Sequence, residues 1–296
     1  MTLCHRSAAR LLLAAALALS FNGCLGNPFG GEDKIRDQRQ VQGRVVFSNG
    51  AAAAGVFVWL DRYDRSTRTD SDGSFLLALP PLQNRQGVVE EGTLYFYLAN
   101  CKLVTAAVKI VEGQFAYGEA GIDRDGKLRD PVVMVRVVNI MTWVEPAVWP
   151  AEEDSLRIVV GLVTDSGCAL VYNPLIDSVP PDGVDFAPLG AVLLRQLQTG
   201  QVFTLRSTPT GNGTERLMPC FDDSVHRQLL VEGTQLRPLP AGKYEVIPYL
   251  WLEPEGTPAA LLANLGPAVN ELGASYLKKP MQRQAAILEI RQPLSP

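Results

Sequence analysis

Histidine is almost missing from this chain. Only His5 and His226 occur in 296 residues, and His5 sits in a segment laid out like a removable leader. Three-histidine and H-E-x-x-H zinc chemistry is therefore excluded by count. There is no C-x-x-C pair and no G-x-S-x-G elbow, so thiolate metal sites and an α/β-hydrolase triad lack their signatures. There is also no G-x-x-x-x-G-K-[ST] loop and no G-x-G-x-x-G turn to cradle a nucleotide phosphate. Basic runs are lacking too. The formal charge is −4, and loss of Arg6 and Arg10 with a leader makes it −6. Nothing here neutralises a phosphate backbone, so no nucleic-acid partner is expected. The N-terminal apolar core, residues 11–19, falls short of the ~20 residues that span a bilayer.

What is present is a globular composition with many turns: 47% hydrophobic, 20% charged, 26 Gly and 21 Pro. The length suggests about two domains. The most informative stretch is residues 41–81. Val41, Gly43, Val45 and Phe47 alternate with Gln42, Arg44, Val46 and Ser48, the period of a half-buried strand. Asn49-Gly50 tolerates positive φ and makes a turn. Residues 55–60 form an apolar run of β-formers, and 66–69 a short polar strand. Asp70 to Gly73 is a second turn, residues 74–79 a further strand, and Pro80-Pro81 stops it. In this order the stretch resembles the carboxypeptidase regulatory-like domain, a transthyretin-like β-sandwich. The matching residues are Gly43, Gly55-Val56, Thr69-Asp70, Asp72-Gly73, Phe75 and Leu79-Pro80. Ala51 to Ala54 departs from that pattern, where Pro is more common. The resemblance implies a sandwich that binds or stabilises rather than catalyses.

The N-terminus carries Arg6 and Arg10, then the apolar core, then Gly23-Cys24. This has the layout of a secretory signal and resembles the lipobox of a bacterial lipoprotein, with Phe21 where Leu is usual. The resemblance implies cleavage before Cys24, lipidation of its sulfur, and an acylated amino terminus. At ~0.8 kcal/mol per buried methylene, two or three chains hold a protein to a membrane. A plain cleaved signal and an uncleaved anchor remain open as alternatives. Leu25 rather than Asp after Cys24 points, by analogy with Gram-negative sorting, to the outer membrane. Residues 24–40 read as a tether.

Five cysteines occur. Cys4 leaves with residues 1–23 and Cys24 is the lipidation site, so three remain in an oxidising compartment. Cys168 and Cys220 fall in the same expected domain and form the expected disulfide, with Cys101 as a small core residue.

The expected architecture is mainly β: two β-sandwich domains in tandem, 41–140 and 155–296, joined by a linker over 141–154. The linker's Trp143 and Trp149 are expected to pack between the domains. In the second domain 155–164 reads as a strand, 172–188 and 208–215 as loops, and 227–231 as a short strand or helical turn. Residues 190–197 and 201–207 read as a hairpin. Residues 258–277 form the one helical segment, kinked or split at Gly266-Pro267. The expected function is a non-catalytic envelope lipoprotein that binds or assembles with envelope proteins or a surface ligand, without catalytic residues, metal or cofactor.

Two other readings are kept. A hydrolase would gather scattered carboxylates of the second domain into one pocket. A carbohydrate-binding module would expose a row of aromatics such as Trp59, Tyr63, Tyr95 and Tyr97. His226 with Asp222, Asp223 and Cys220 could form a metal or acid–base cluster, against a plain solvated loop. The turns at 70–73 and 123–126 could ligate Ca²⁺, against a plain β-turn.

Overall fold

The alternation seen in the sequence becomes strand from the first residues described. The computed structural model describes residues 38–81, 87–150, 153–177 and 187–291. Cys24 and the whole of 1–37 lie outside them. The first half contains β1 (Gln40–Phe47), β2 (Phe57–Leu60), β3 (Arg65–Arg68), β4 (Ser74–Ala78), β5 (Val89–Tyr97), β6 (Val104–Val111), β7 (Gln114–Phe115) and β8 (Val132–Met134). They build a three-stranded sheet ordered β4-β1-β8 and a five-stranded sheet ordered β3-β2-β5-β6-β7. Val41, Val45, Phe75, Leu77, Leu94, Phe96 and Ile110 meet in one core cluster.

The second half contains β9 (Asn139–Glu145), β10 (Val148–Trp149), β11 (Ser155–Val163), β12 (Val171–Ile176), β13 (Ala187–Pro188), β14 (Ala191–Gln196), β15 (Val202–Arg206), β16 (Gly213–Leu217), β17 (Val225–Glu232), β18 (Gly242–Pro248) and β19 (Ala286–Ile290). Five strands run β10-β19-β18-β14-β15, four run β13-β17-β11-β9, and β12 pairs β16 alone. The molecule is mainly β; besides a four-residue helical turn at Gly233–Leu236, unexpected from the sequence, it has the helix α1 (Ala259–Leu265) followed by a 3₁₀ segment, Ala274–Lys278. The segment 258–277 is thus split. The backbone leaves the helix at Gly266, with φ +113, and the ring of Pro267 has no N–H to continue it.

Several expectations need correction. Residues 141–154, read as a linker, supply most of β9, and β9 pairs with β11 from Asn139 to Glu145. Trp149 is buried in the second core, but Trp143 is 43% exposed on the outer face of this sheet. The loops expected over 172–188 and 208–215 contain most of β12 and the start of β16, which pair with each other. The expected short element at 227–231 is an eight-residue central strand, β17.

The two halves share an apolar contact. All four residues of β2 are buried. Val58 and Leu60 enter the first core, while Phe57 and Trp59 enter the second along with Tyr97 and Ala99. Burial on both faces explains why β2 reads as a continuous apolar run rather than an alternation. The fully buried Asn100 adds a polar clamp. Its Nδ2 donates to the carbonyls of Val138 and Gln282, and its Oδ1 accepts from the Gln282 amide. Asp64 Oδ1 accepts from Trp59 Nε1 and from Asn264 Nδ2 on α1.

Candidate binding clefts

The strands β12 and β16, far apart in sequence, form a two-stranded sheet of their own, and side-chain bonds help to fix its position. Asn173, fully buried, donates to the Pro188 carbonyl at 2.8 Å and to Glu215 Oε2 at 3.0 Å, and accepts from the Gly190 amide. Arg227 on β17 grips Glu215 through Nε at 2.9 Å and Nη2 at 2.5 Å. This fork geometry suits a buried carboxylate. The chain crosses at Gly190 so closely that a Cβ would lie 1.9 Å from the Pro174 carbonyl oxygen. At the far end, Cys168 and Cys220 form a disulfide. Cys101 is the free cysteine among the described residues; burial pushes its thiol up to about 12, which makes it a poor nucleophile.

With this strand pair pinned, Leu170 and Tyr172 face outward, 39% and 37% exposed. The ladder sets Val171 opposite Leu217, so Met218 lies across from Leu170 on the same face, 49% exposed. Tyr172 and Trp251 exchange backbone hydrogen bonds, each 2.9 Å. Between them opens a cleft of about 460 Å³ lined by Leu170, Tyr172, Trp251, Leu252, Glu253, Asn270 and Lys279. One wall is apolar and aromatic. The polar side is a single ion pair: the Lys279 ammonium donates to Glu253 Oε2 at 2.9 Å and to Asn270 Oδ1 at 3.1 Å. The Lys279 side chain is 2% exposed and that of Glu253 35%. Asn270 is itself held, because Trp251 Nε1 (3.0 Å) and the Tyr249 hydroxyl both donate to its carbonyl. Near Glu253, Tyr97 is pushed far above the ordinary phenol range, first by burial and then by that carboxylate's charge. Its hydroxyl has no partner at hydrogen-bond geometry.

A second cavity, about 270 Å³, lies beside the Asn100 clamp. Arg136, Asn139, Gln282, Arg283 and Gln284 line it with Ile140 and Met141. The larger cleft holds one carboxylate and this cavity none. Neither gathers the carboxylate pair that glycoside hydrolysis requires.

The other candidates from the sequence do not assemble. His226 lies on β17, its ring 6.4 Å from that of Trp143. Cys220 is spent in the disulfide, Asp222 and Asp223 are exposed, and no three of His, Cys, Asp and Glu gather for a metal among the described residues. Asp70 Oδ1 accepts from the amides of Asp72 and Ser74, and Asp123 Oδ1 from those of Asp125 and Lys127. Each such carboxylate is spent closing its own turn. The expected aromatic row is not displayed. Trp59 and Tyr97 are buried between the halves, Tyr95 packs against that core, and the half-buried Tyr63 donates to Glu90. Sequence reasoning missed Lys279, Glu253, Arg136 and Arg283. Their partners lie 26 residues away for Lys279 and Glu253 and 146 for Arg136 and Gln282, and no local motif marks them.

No family model matches the chain, and no curated protein does. Among solved structures it is similar to the major pilin subunit BcpA of Bacillus cereus, at 12% identity and a TM-score of 0.24, over 70% of this chain and 63% of that one. It is also similar to a streptococcal ancillary pilin, at 13% and 0.21, over 74% and 56%. A third is a Ca²⁺-stabilised adhesin of an ice-binding Antarctic bacterium, at 12% and 0.19, over 86% and 44%. The chain matches less than two thirds of the length of each. Scores this low carry no argument about what the chain does.

Proposed function

We propose that this chain is a non-catalytic module of the cell envelope. In this reading lipid on Cys24 holds it to a membrane, and the Tyr172–Trp251 cleft grips an apolar segment of a neighbouring envelope protein. The observation that carries the binding role is the cleft's make-up. An apolar wall stays open to solvent on a strand pair braced by a disulfide and by the buried Glu215–Arg227 pair. A braced cleft of this kind orders little on binding, which favours affinity. Aromatic residues at such positions are common hot spots. The anchor rests on the resemblance around Gly23-Cys24 and on the tether composition of residues 24–40.

The two parts are tested separately. Cys24→Ser should move the protein from the membrane to the soluble fraction; unchanged partitioning defeats the anchor. Trp251→Ala should weaken capture of a defined partner by about tenfold or more while leaving the melting temperature within a few degrees. Unchanged capture defeats the cleft.

A further inference from the structure

We infer that the cavity between Arg136 and Arg283 binds a small oxyanion: a phosphate, sulfate or carboxylate group. The starting point is how this chain treats other cations that it draws partly or wholly out of solvent. Arg227 is matched by the buried Glu215, and Lys279 by Glu253. Arg136 and Arg283 break that pattern. They line one cavity, no Asp or Glu lines it with them, and neither forms an ion pair with a described residue.

Arg136 is held rather than neutralised. Nη1 donates to Asn139 Oδ1 at 2.7 Å and Nη2 to Gln282 Oε1 at 2.9 Å, while the guanidinium lies 4.8 Å over the Phe47 ring. These partners are neutral. Arg136 Nε and Arg283 Nη1 are buried and have no acceptor at hydrogen-bond geometry; the Tyr276 hydroxyl, which interacts with the Arg283 guanidinium, is neutral. Orphaned donors are rare in folded proteins and call for an unseen partner. Two guanidinium groups sharing a cavity also repel each other, and a bound anion removes both costs.

The rest of the lining suits the same ligand. Asn139 and Gln284 add side-chain amide groups that can donate to an oxyanion. The wall is rigid, because Gln282 is clamped by Asn100, and Gln284 exchanges backbone bonds with β9 through Ile140 (2.9 Å) and Thr142 (3.1 Å). About 270 Å³ admits an oxyanion with a few attached carbons. The chain as a whole is acidic, at −4, so this is a local reversal of sign that attracts anions by field as well as by contact.

The test is thermal denaturation and calorimetric titration of the full chain in a non-ionic detergent. Inorganic phosphate, sulfate, acetate and glycerol 3-phosphate are each compared with sodium chloride at equal ionic strength. Phosphate at 10 mM should raise the melting temperature above the chloride control, as any ligand specific to the folded state does. A tighter response to glycerol 3-phosphate than to inorganic phosphate would identify a group borne on a carbon chain; the reverse order would identify the free ion. Arg283→Gln should weaken phosphate binding at least tenfold. Gln284→Glu, at the exposed rim, keeps both arginines and supplies an internal carboxylate. It should raise the melting temperature in chloride and blunt the phosphate response. Trp251→Ala should leave the phosphate response intact, which separates this site from the apolar cleft. A phosphate response equal to that of chloride, or one unchanged in both Arg283→Gln and Gln284→Glu, would overturn the assignment.

Discussion

The two halves differ in how far they close their surfaces. In the first half Phe75 and Phe96 fill its own core, and Trp59 and Tyr97 are buried against the second. The second half buries Trp149, Tyr244 and Tyr276, but Trp143, Tyr172 and Phe221 remain 43%, 37% and 58% exposed, and both cavities are lined by residues from Arg136 onward. The first half is a closed body whose strand β2 serves as a wall for its neighbour. The second leaves its surface open beside the β12–β16 strand pair, which is held by one buried ion pair and one disulfide. The contrast teaches that closed scaffold and open cleft are divided along the chain.

The sharpest way to break that contrast is to unpin the β12–β16 strand pair. Glu215→Ala strands the Arg227 guanidinium in a site where its side chain is 15% exposed, and losing one partner of a buried pair costs about 3–5 kcal/mol. Hydrogen exchange should rise across β12 and β16 and stay unchanged across β1 and β4. Uniform loss of protection would mean that the halves do not differ in this way. Cys168→Ser comes next. The disulfide spans 52 residues, which the chain-entropy model rates at about 4 kcal/mol, readable as a drop in denaturation midpoint for the oxidised protein only.

A smaller effect tests the join between the halves. Asn100→Ala leaves the Gln282 amide without its acceptor and should cost about 1–3 kcal/mol. If the join is as described, the change should split the unfolding of the two halves in calorimetry. A single unshifted transition would contradict it.

The last effect, alkaline destabilisation, is absent at neutral pH. Burial raises Tyr97, Tyr276 and Tyr244, and holds the Cys101 thiol up to about 12 against an ordinary 9.0. Below the unfolded pKa values both states keep their protons and nothing is lost. Above about pH 9 the unfolded chain releases protons that the fold retains, so stability falls with pH, by up to about 1.4 kcal/mol per pH unit for each such group. Tyr97→Phe should flatten the fall in urea titrations between pH 9 and 12. An unchanged slope would show that this hydroxyl is not the buried group described.

How much of this could be read beforehand depended on range. The turns at Asn49-Gly50 and Asp70–Gly73 and the split at Gly266-Pro267 were legible, because each is a local backbone requirement. At Gly73, φ is +76 and a Cβ would lie 2.2 Å from the Val45 carbonyl oxygen, so a single residue announces the turn. The β12–β16 pairing was hidden. Pro174 sits inside one strand and Gly213 opens the other, and both residues read as loop. The clefts were less legible still. Lys279 meets Glu253, and Arg136 comes to line a cavity with Arg283, only once segments far apart in sequence have folded together. Trp143 was read as buried by its apolar character, yet Gly161 beside it leaves room for the indole to lie across the open sheet face.

The most direct measurement places a photo-crosslinking residue at Tyr172 in the cleft and, separately, at Leu76 of β4, which is the more exposed of the two at 53% against 37%, in protein expressed in intact cells. The account predicts a discrete crosslinked partner from position 172, lost when Trp251→Ala is added, and none from position 76. Equal products from both positions, or a product at 172 that survives Trp251→Ala, would contradict it.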